Sequence, residues 1–197
     1  MVINKLNMLF LPTQTIKNLI YISGSFSENI PNEIKDEAYN LGKLIGENNF
    51  SLIYTGENKG LIKYVLNGAR DKKTKIISVL TENLEIETIS SLNNNEIIIT
   101  NDIIEKKIEI YKRASAFVIL PGISETLYDF FEILFLKKFY NLNKPLIILN
   151  IFNFYEKILD FINHSIICYN EKSFFYVCQN SFEIINFLKK ELSKLNH

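Results

Sequence analysis

One short run constrains this chain more than any other feature. Ala116-Phe117-Val118-Ile119-Leu120 is almost wholly apolar and lies between Ser115 and Pro121. A strand wetted on one face alternates apolar and polar residues, whereas an uninterrupted run is apolar on both faces. Such a strand belongs at the centre of a parallel sheet covered by helices on both sides. The rest of the chain supplies its neighbours. Leu19-Ile20-Tyr21-Ile22, Ser51-Leu52-Ile53-Tyr54, residues 75–80, residues 96–100 and Leu146-Ile147-Ile148-Leu149 read as strands, with a short late one at 174–177. Segments of helical period alternate with them. Residues 31–48 carry Ile34, Ala38, Leu41, Leu44 and Ile45 on one stripe, and residues 61–70 turn Leu61, Val65, Leu66 and Ala69 inward. Residues 103–115, 125–139, 154–163 and 181–195 read as further helices. The alternation specifies an α/β fold: one doubly wound, Rossmann-like, mainly parallel sheet flanked by helices. A single domain is expected over residues 18–197. Residues 1–17 read as an extension outside the sheet, and Asn93-Asn94-Asn95 as a loop.

Charge and composition narrow the partners. The chain has 22 basic and 22 acidic side chains, so no general basic surface is available for nucleic acid. No window approaches the roughly 18 apolar residues of a membrane span. The early run Met8-Leu9-Phe10-Leu11 lacks the charged lead and the length of a secretory signal. Cys168 and Cys178 form no metal-ligand pair and read as reduced thiols. We expect a cytoplasmic protein with no nucleic-acid or membrane partner. No cluster of His, Cys and Asp shows metal-ligand spacing, and His164 reads as a surface or packing residue.

Ligands of doubly wound sheets bind beyond the carboxyl ends of the strands, at the switch in strand order. Three loops there are readable: Gly24-Ser25-Phe26-Ser27, Thr55-Gly56-Glu57-Asn58-Lys59-Gly60, and Pro121-Gly122-Ile123-Ser124-Glu125-Thr126. Each follows a strand and opens a helix, so each offers backbone N–H groups to an anion. None matches G-x-G-x-x-G or a P-loop, so neither a nicotinamide cofactor nor ATP is supported.

The order and spacing of these loops resemble the LOG family, the cytokinin riboside 5′-monophosphate phosphoribohydrolases once called lysine decarboxylases. The resemblance runs over roughly residues 18–190. It is carried by Tyr54-Thr55-Gly56-Glu57-Asn58-Lys59-Gly60-Leu61-Ile62-Lys63, by Glu105-Lys106-Lys107, and by Pro121 to Asp129. These stand where the family has Y-G-G-G-x-x-G-L-M-G, E-R-K and P-G-G-x-G-T-x-x-E. The resemblance implies hydrolysis of the N-glycosidic bond of a nucleotide, by a homodimer that needs no metal or cofactor. It implies that Asp129, at the family's acid position, stabilises the oxocarbenium-like centre or directs water. Lys106, at the arginine position, would orient the substrate. Gly24, Ser25, Gly56, Glu57, Gly60, Gly122, Ser124, Glu125 and Thr126 would hold a nucleotide or nucleoside-like ligand.

The departures from the motifs are concentrated. The chain has only 7 glycines. Thr55, Glu57, Lys63, Ile123 and Glu125 stand where the two loop motifs have glycine. A β-branched Ile123 resists positive φ. Glu57 and Glu125 bring negative charge to a phosphate seat, although Ser124 can cap the helix and Glu125 suits its first turn. On this reading the acid stands in for the missing anion. Asp129 is one methylene shorter than Glu, and Lys106 lacks the guanidinium fork. Tyr128, Phe130 and Phe131 read as core or dimer packing, or as a platform for a base. Three functions follow: a divergent N-glycosidase making little use of 5′-monophosphates, a catalytically silent binding or sequestering protein, or a dimeric interaction protein.

Overall fold

The computed structural model describes residues 18–82, 96–167 and 174–194. The expectations for residues 1–17, Asn93-Asn94-Asn95 and Cys168 lie outside them. Seven strands form one sheet: β1 (Leu19–Ser23), β2 (Ser51–Tyr54), β3 (Ile76–Thr81), β4 (Glu96–Thr100), β5 (Ala116–Ile119), β6 (Leu146–Leu149) and β7 (Tyr176–Cys178). All neighbours pair in parallel, in the order β4-β3-β2-β1-β5-β6-β7. The chain builds outward from β1 to β4, then crosses back to lay β5 on the other side of β1. The switch point is therefore the β1–β5 seam, where Ile22 pairs with Val118 and Ser23 with Ile119.

Among the described residues six helices cover the faces: α1 (Asn32–Glu47), α2 (Gly60–Arg70), α3 (Ile103–Arg113), α4 (Ser124–Tyr140), α5 (Glu156–Ile167) and α6 (Ser181–Lys194). The period of two in β1 separates two cores. Ile20 and Ile22 pack with Ala38, Leu41 and Ile45 of α1, Leu61 and Val65 of α2, and Ile184 and Leu188 of α6. Leu19 and Tyr21 face Ile110 and Tyr111 of α3, Phe130 and Ile133 of α4, and Leu159 and Ile162 of α5. All four residues of β5 are buried, as its apolar run requires.

Element ends differ by small, explicable amounts. The helix expected to run to Ser115 stops at Arg113, because Ala114 turns extended (ψ 138°) to enter β5. Helix α4 ends on Asn141 in the left-handed conformation, a common helix stop. The helix expected from Phe154 is displaced to Glu156 because Ile151–Asn153 first form a 3-10 turn, held by Asn150 Oδ1 accepting from Tyr155 N at 2.8 Å. The last strand is Tyr176–Cys178 rather than 174–177. Its register against Ile147, Ile148 and Leu149 sets it.

Candidate functional site

The three loops leave β1, β2 and β5 side by side and are bonded to one another. Ser25 N donates to Pro121 O at 3.0 Å, and Leu61 N donates to Ser25 O at 2.9 Å. Two retained glycines are required by backbone geometry. Gly56 (φ 91°) and Gly60 (φ 49°) are left-handed, and a Cβ on Gly60 would run into the Ser25 carbonyl. The five replaced positions all keep negative φ, Ile123 at −116° included. The loops have thus lost glycine only where φ does not demand it.

A cavity of about 200 Å³ opens at the switch point. Ile22, Ser23 and Gly24 line it from β1 and its loop, with Phe26, Thr55, Glu57 and Ile62 beside them. Ile103, Lys106, Lys107 and Ile110 of α3, and Glu125, Tyr128 and Asp129 of α4, complete the wall. Helix α3 is fixed at its start by an aspartate cap and a glutamate that reaches back past it. Asp102 Oδ1 accepts from Glu105 N at 2.8 Å, and Glu105 Oε2 accepts from Asn101 N at 2.9 Å. This fixed start places the next two residues, Lys106 and Lys107, on the cavity.

Asp129 is buried and bonded from three sides. Its Oδ2 accepts from the Tyr21 hydroxyl and the Ser23 hydroxyl, each at 2.7 Å. Its Oδ1 accepts from Lys107 Nζ at 2.6 Å. The same ammonium reaches Glu132 Oε2 at 2.6 Å and lies 4.1 Å from the centre of the Tyr128 ring. Tyr111 donates to Glu132 in turn. Burial opposes the charge on Lys107, yet Asp129 and Glu132 outweigh it and hold its pKa above the ordinary lysine value. Burial, and then the field of Asp129, push the Tyr21 phenol well up, so it remains a donor. Burial lowers the pKa of Lys106, with Glu57 and Asp129 pushing back.

Two carboxylates occupy the backbone donors that the loops present. Glu125 Oε1 accepts from Phe26 N at 3.1 Å, and Glu28 Oε1 accepts from Gly60 N, at the start of α2, at 3.3 Å. Glu57 lines the cavity together with Glu125 and Asp129.

Of the residues named from the sequence, Asp129, Lys106, Gly24, Glu57 and Glu125 line the cavity. Ser25, Gly56, Gly60 and Gly122 lie off its lining and shape the loops, and the Gly122 carbonyl accepts from Tyr155 at 2.9 Å. Thr126 is fully buried over Gly122, and its hydroxyl makes no hydrogen bond among the described residues. Ser124 does not cap α4. It is the first helical residue, one position too late, and Ile123 at the cap position has no acceptor. Phe130 is core, while Tyr128 and Phe131 stay exposed. His164 is exposed, its ring against the Asp160 carbonyl.

Sequence reasoning did not single out Tyr21, Ser23, Lys107 or Glu28. The first two carry a signal: they sit two apart at the end of β1 and so share a face. Glu28 carries none, since its role depends on a loop closing over α2.

Residues 62–188 match the family model described as "Possible lysine decarboxylase". The probable cytokinin riboside 5′-monophosphate phosphoribohydrolase LOGL2 of Oryza sativa subsp. japonica is 28% identical over 132 residues, 67% of this chain and 54% of that protein. The cytokinin riboside 5′-monophosphate phosphoribohydrolase LOG2 of Arabidopsis thaliana is 26% identical over 131 residues, 66% of this chain and 62% of that protein. The chain therefore spans between half and two thirds of the length of these relatives. The molybdenum cofactor carrier protein of Chlamydomonas reinhardtii superposes with a TM-score of 0.64 at 18% identity, over 90% of this chain and 99% of that one, a likeness of fold alone.

Proposed function

The chain belongs to the possible lysine decarboxylase (LOG) family, and from that premise we propose that it hydrolyses the N-glycosidic bond of a ribosyl substrate. The observation that carries this reading is Asp129: a buried carboxylate held by Tyr21, Ser23 and Lys107 at the edge of the switch-point cavity. In the reaction the bond from C1′ to the base nitrogen breaks. Water oxygen then bonds to C1′, and one of its protons ends on the departing base. Positive charge develops on the sugar as the bond breaks. A buried carboxylate held by three donors stabilises such charge with little reorganisation. Lys106, in the same wall, orients the substrate, and Tyr128 offers a ring face to the base. No step asks for a metal or cofactor.

The test is release of free base from a panel of nucleosides and nucleotides. Asp129→Asn keeps the shape and removes the charge, and it is expected to lower turnover by at least about 100-fold, the scale of one lost electrostatic contact. Base release by wild type and variant at equal rates would sink the assignment.

One observation favours a second reading. Three donors already occupy Asp129, leaving about one of a carboxylate's four acceptor sites open. A site so satisfied suits a protein that binds a nucleotide-like ligand without cleaving it. Ligand-induced thermal stabilisation with no base released would select this reading.

We further propose a homodimer. Tyr128, Phe131, Phe135 and Phe139 recur along α4 as an exposed aromatic stripe, and contiguous apolar patches of that kind mark association surfaces.

A further inference from the structure

We propose that the site selects an unphosphorylated riboside and rejects the 5′-monophosphate, because the chain has filled its own anion seat with carboxylates. The inference rests on the N-glycosidase reading and names its substrate class. A phosphate bound at a doubly wound switch point is held by backbone N–H groups at loop ends and helix starts. Here two such donors are engaged. Phe26 N is bonded to Glu125 at 3.1 Å, and Gly60 N, the first N–H of α2, to Glu28 at 3.3 Å. A phosphate entering the cavity would have to displace Glu125 from Phe26 and leave it alongside, while the Glu28–Gly60 contact closes the neighbouring helix start outside the lining.

The remaining charge points the same way. Glu57 and Glu125 stand in the cavity wall together with Asp129. Against these three acids the wall sets Lys106 and Lys107, and Lys107 is committed to Asp129 and Glu132. A dianion entering this wall meets an excess of negative charge. A 5′-hydroxyl meets carboxylate oxygens to which it can donate, and a hydrogen bond to a charged acceptor is the stronger kind. Position agrees as well. Glu125 and Asp129 are four residues apart on α4, so they lie one turn apart on one face. With Asp129 at C1′, Glu125 falls about 6 Å back toward the start of α4. The 5′ substituent hangs from C4′, across the ring oxygen from C1′, and this is the group that such spacing addresses.

The experiment pairs each nucleoside with its own 5′-monophosphate and measures kcat/KM for base release, with and without magnesium. The wild type is expected to prefer the nucleoside at least about tenfold. Glu57→Gln with Glu125→Gln, which keeps the hydrogen-bonding shape, is expected to move the ratio toward the monophosphate by about tenfold or more. A wild-type preference for the monophosphate in either buffer overturns the inference, as does a ratio unmoved in the double variant. If no base is released from any substrate, the N-glycosidase reading fails by itself. Thermal shift then decides the inference separately. Greater stabilisation by nucleosides than by monophosphates upholds it. Equal stabilisation, the reverse order, or none at all overturns it.

Discussion

Lys107 is the residue on which the site's electrostatics turn. Its ammonium separates Asp129 and Glu132, which would otherwise be two carboxylates on adjacent turns of α4. The three side chains are largely buried, at 15%, 12% and 28% exposure. Removing one member of such a cluster leaves uncompensated charge. Lys107→Met is expected to cost roughly 3 kcal/mol in urea unfolding, the lower end for a broken buried pair. The pH dependence has a definite sign. The folded pKa of Lys107 is raised, so its contribution is complete below the ordinary lysine value near 10.4. It fades as pH climbs through the raised folded value. The gap between wild type and variant is therefore expected to hold from neutral pH to about 10 and to narrow above it. A gap that widened there would contradict the ion-pair geometry.

At the scale of the element, what matters is which glycines remain. Gly60 opens α2 in the left-handed region against the Ser25 carbonyl, whereas Lys63 sits in ordinary helix one turn later. Gly60→Ala is expected to destabilise by about 2 kcal/mol, from backbone strain and the clash. Lys63→Gly, which restores a residue of the family motif, should also destabilise, by about 1 kcal/mol, because glycine is a poor helix former. Denaturant midpoints of the two variants check both values.

The strands and helices were legible because burial leaves a period: the apolar run of β5 and the stripe of α1 each state which faces are covered. The 3-10 turn at Ile151–Asn153 left no such mark, since it depends on one Asn150 side chain reaching Tyr155. The same division holds in the site. Asp129, Lys106, Glu57 and Glu125 were readable from motif position, and the structure brings them to one cavity. Lys107 stood in the same motif as Lys106, but spacing alone does not say which of two adjacent lysines meets the carboxylate. Ser124 was misread as a cap because sequence does not fix where a helix starts to within one residue.

At the scale of the molecule, α4 serves two surfaces. One side carries Asp129, Phe130 and Ile133 into the site and core, and the other exposes Phe131, Phe135 and Phe139. The proposed dimer predicts sedimentation at twice the chain mass of 23.0 kDa. Phe135→Glu, on the exposed stripe, is expected to give a folded monomer with an unchanged far-ultraviolet dichroism spectrum. A monomeric wild type would remove the reason offered here for the stripe.

The hydrogen bonds on Asp129 also set when the site comes into being. Tyr21 and Ser23 lie 108 and 106 residues from it along the chain, and Lys107 lies 22 away on a different helix. Contacts of long sequence separation close late, after local helices have formed, because loop-closure entropy must first be overcome. Helix α4 can acquire its turns alone, but its carboxylate has no partners until β1 is paired and α3 has docked. Refolding chains are therefore expected to regain dichroism before the Asp129 contacts form, and a ribosome-bound chain short of residue 129 lacks that carboxylate. The clamp on Asp129 closes only once distant parts of the chain have met.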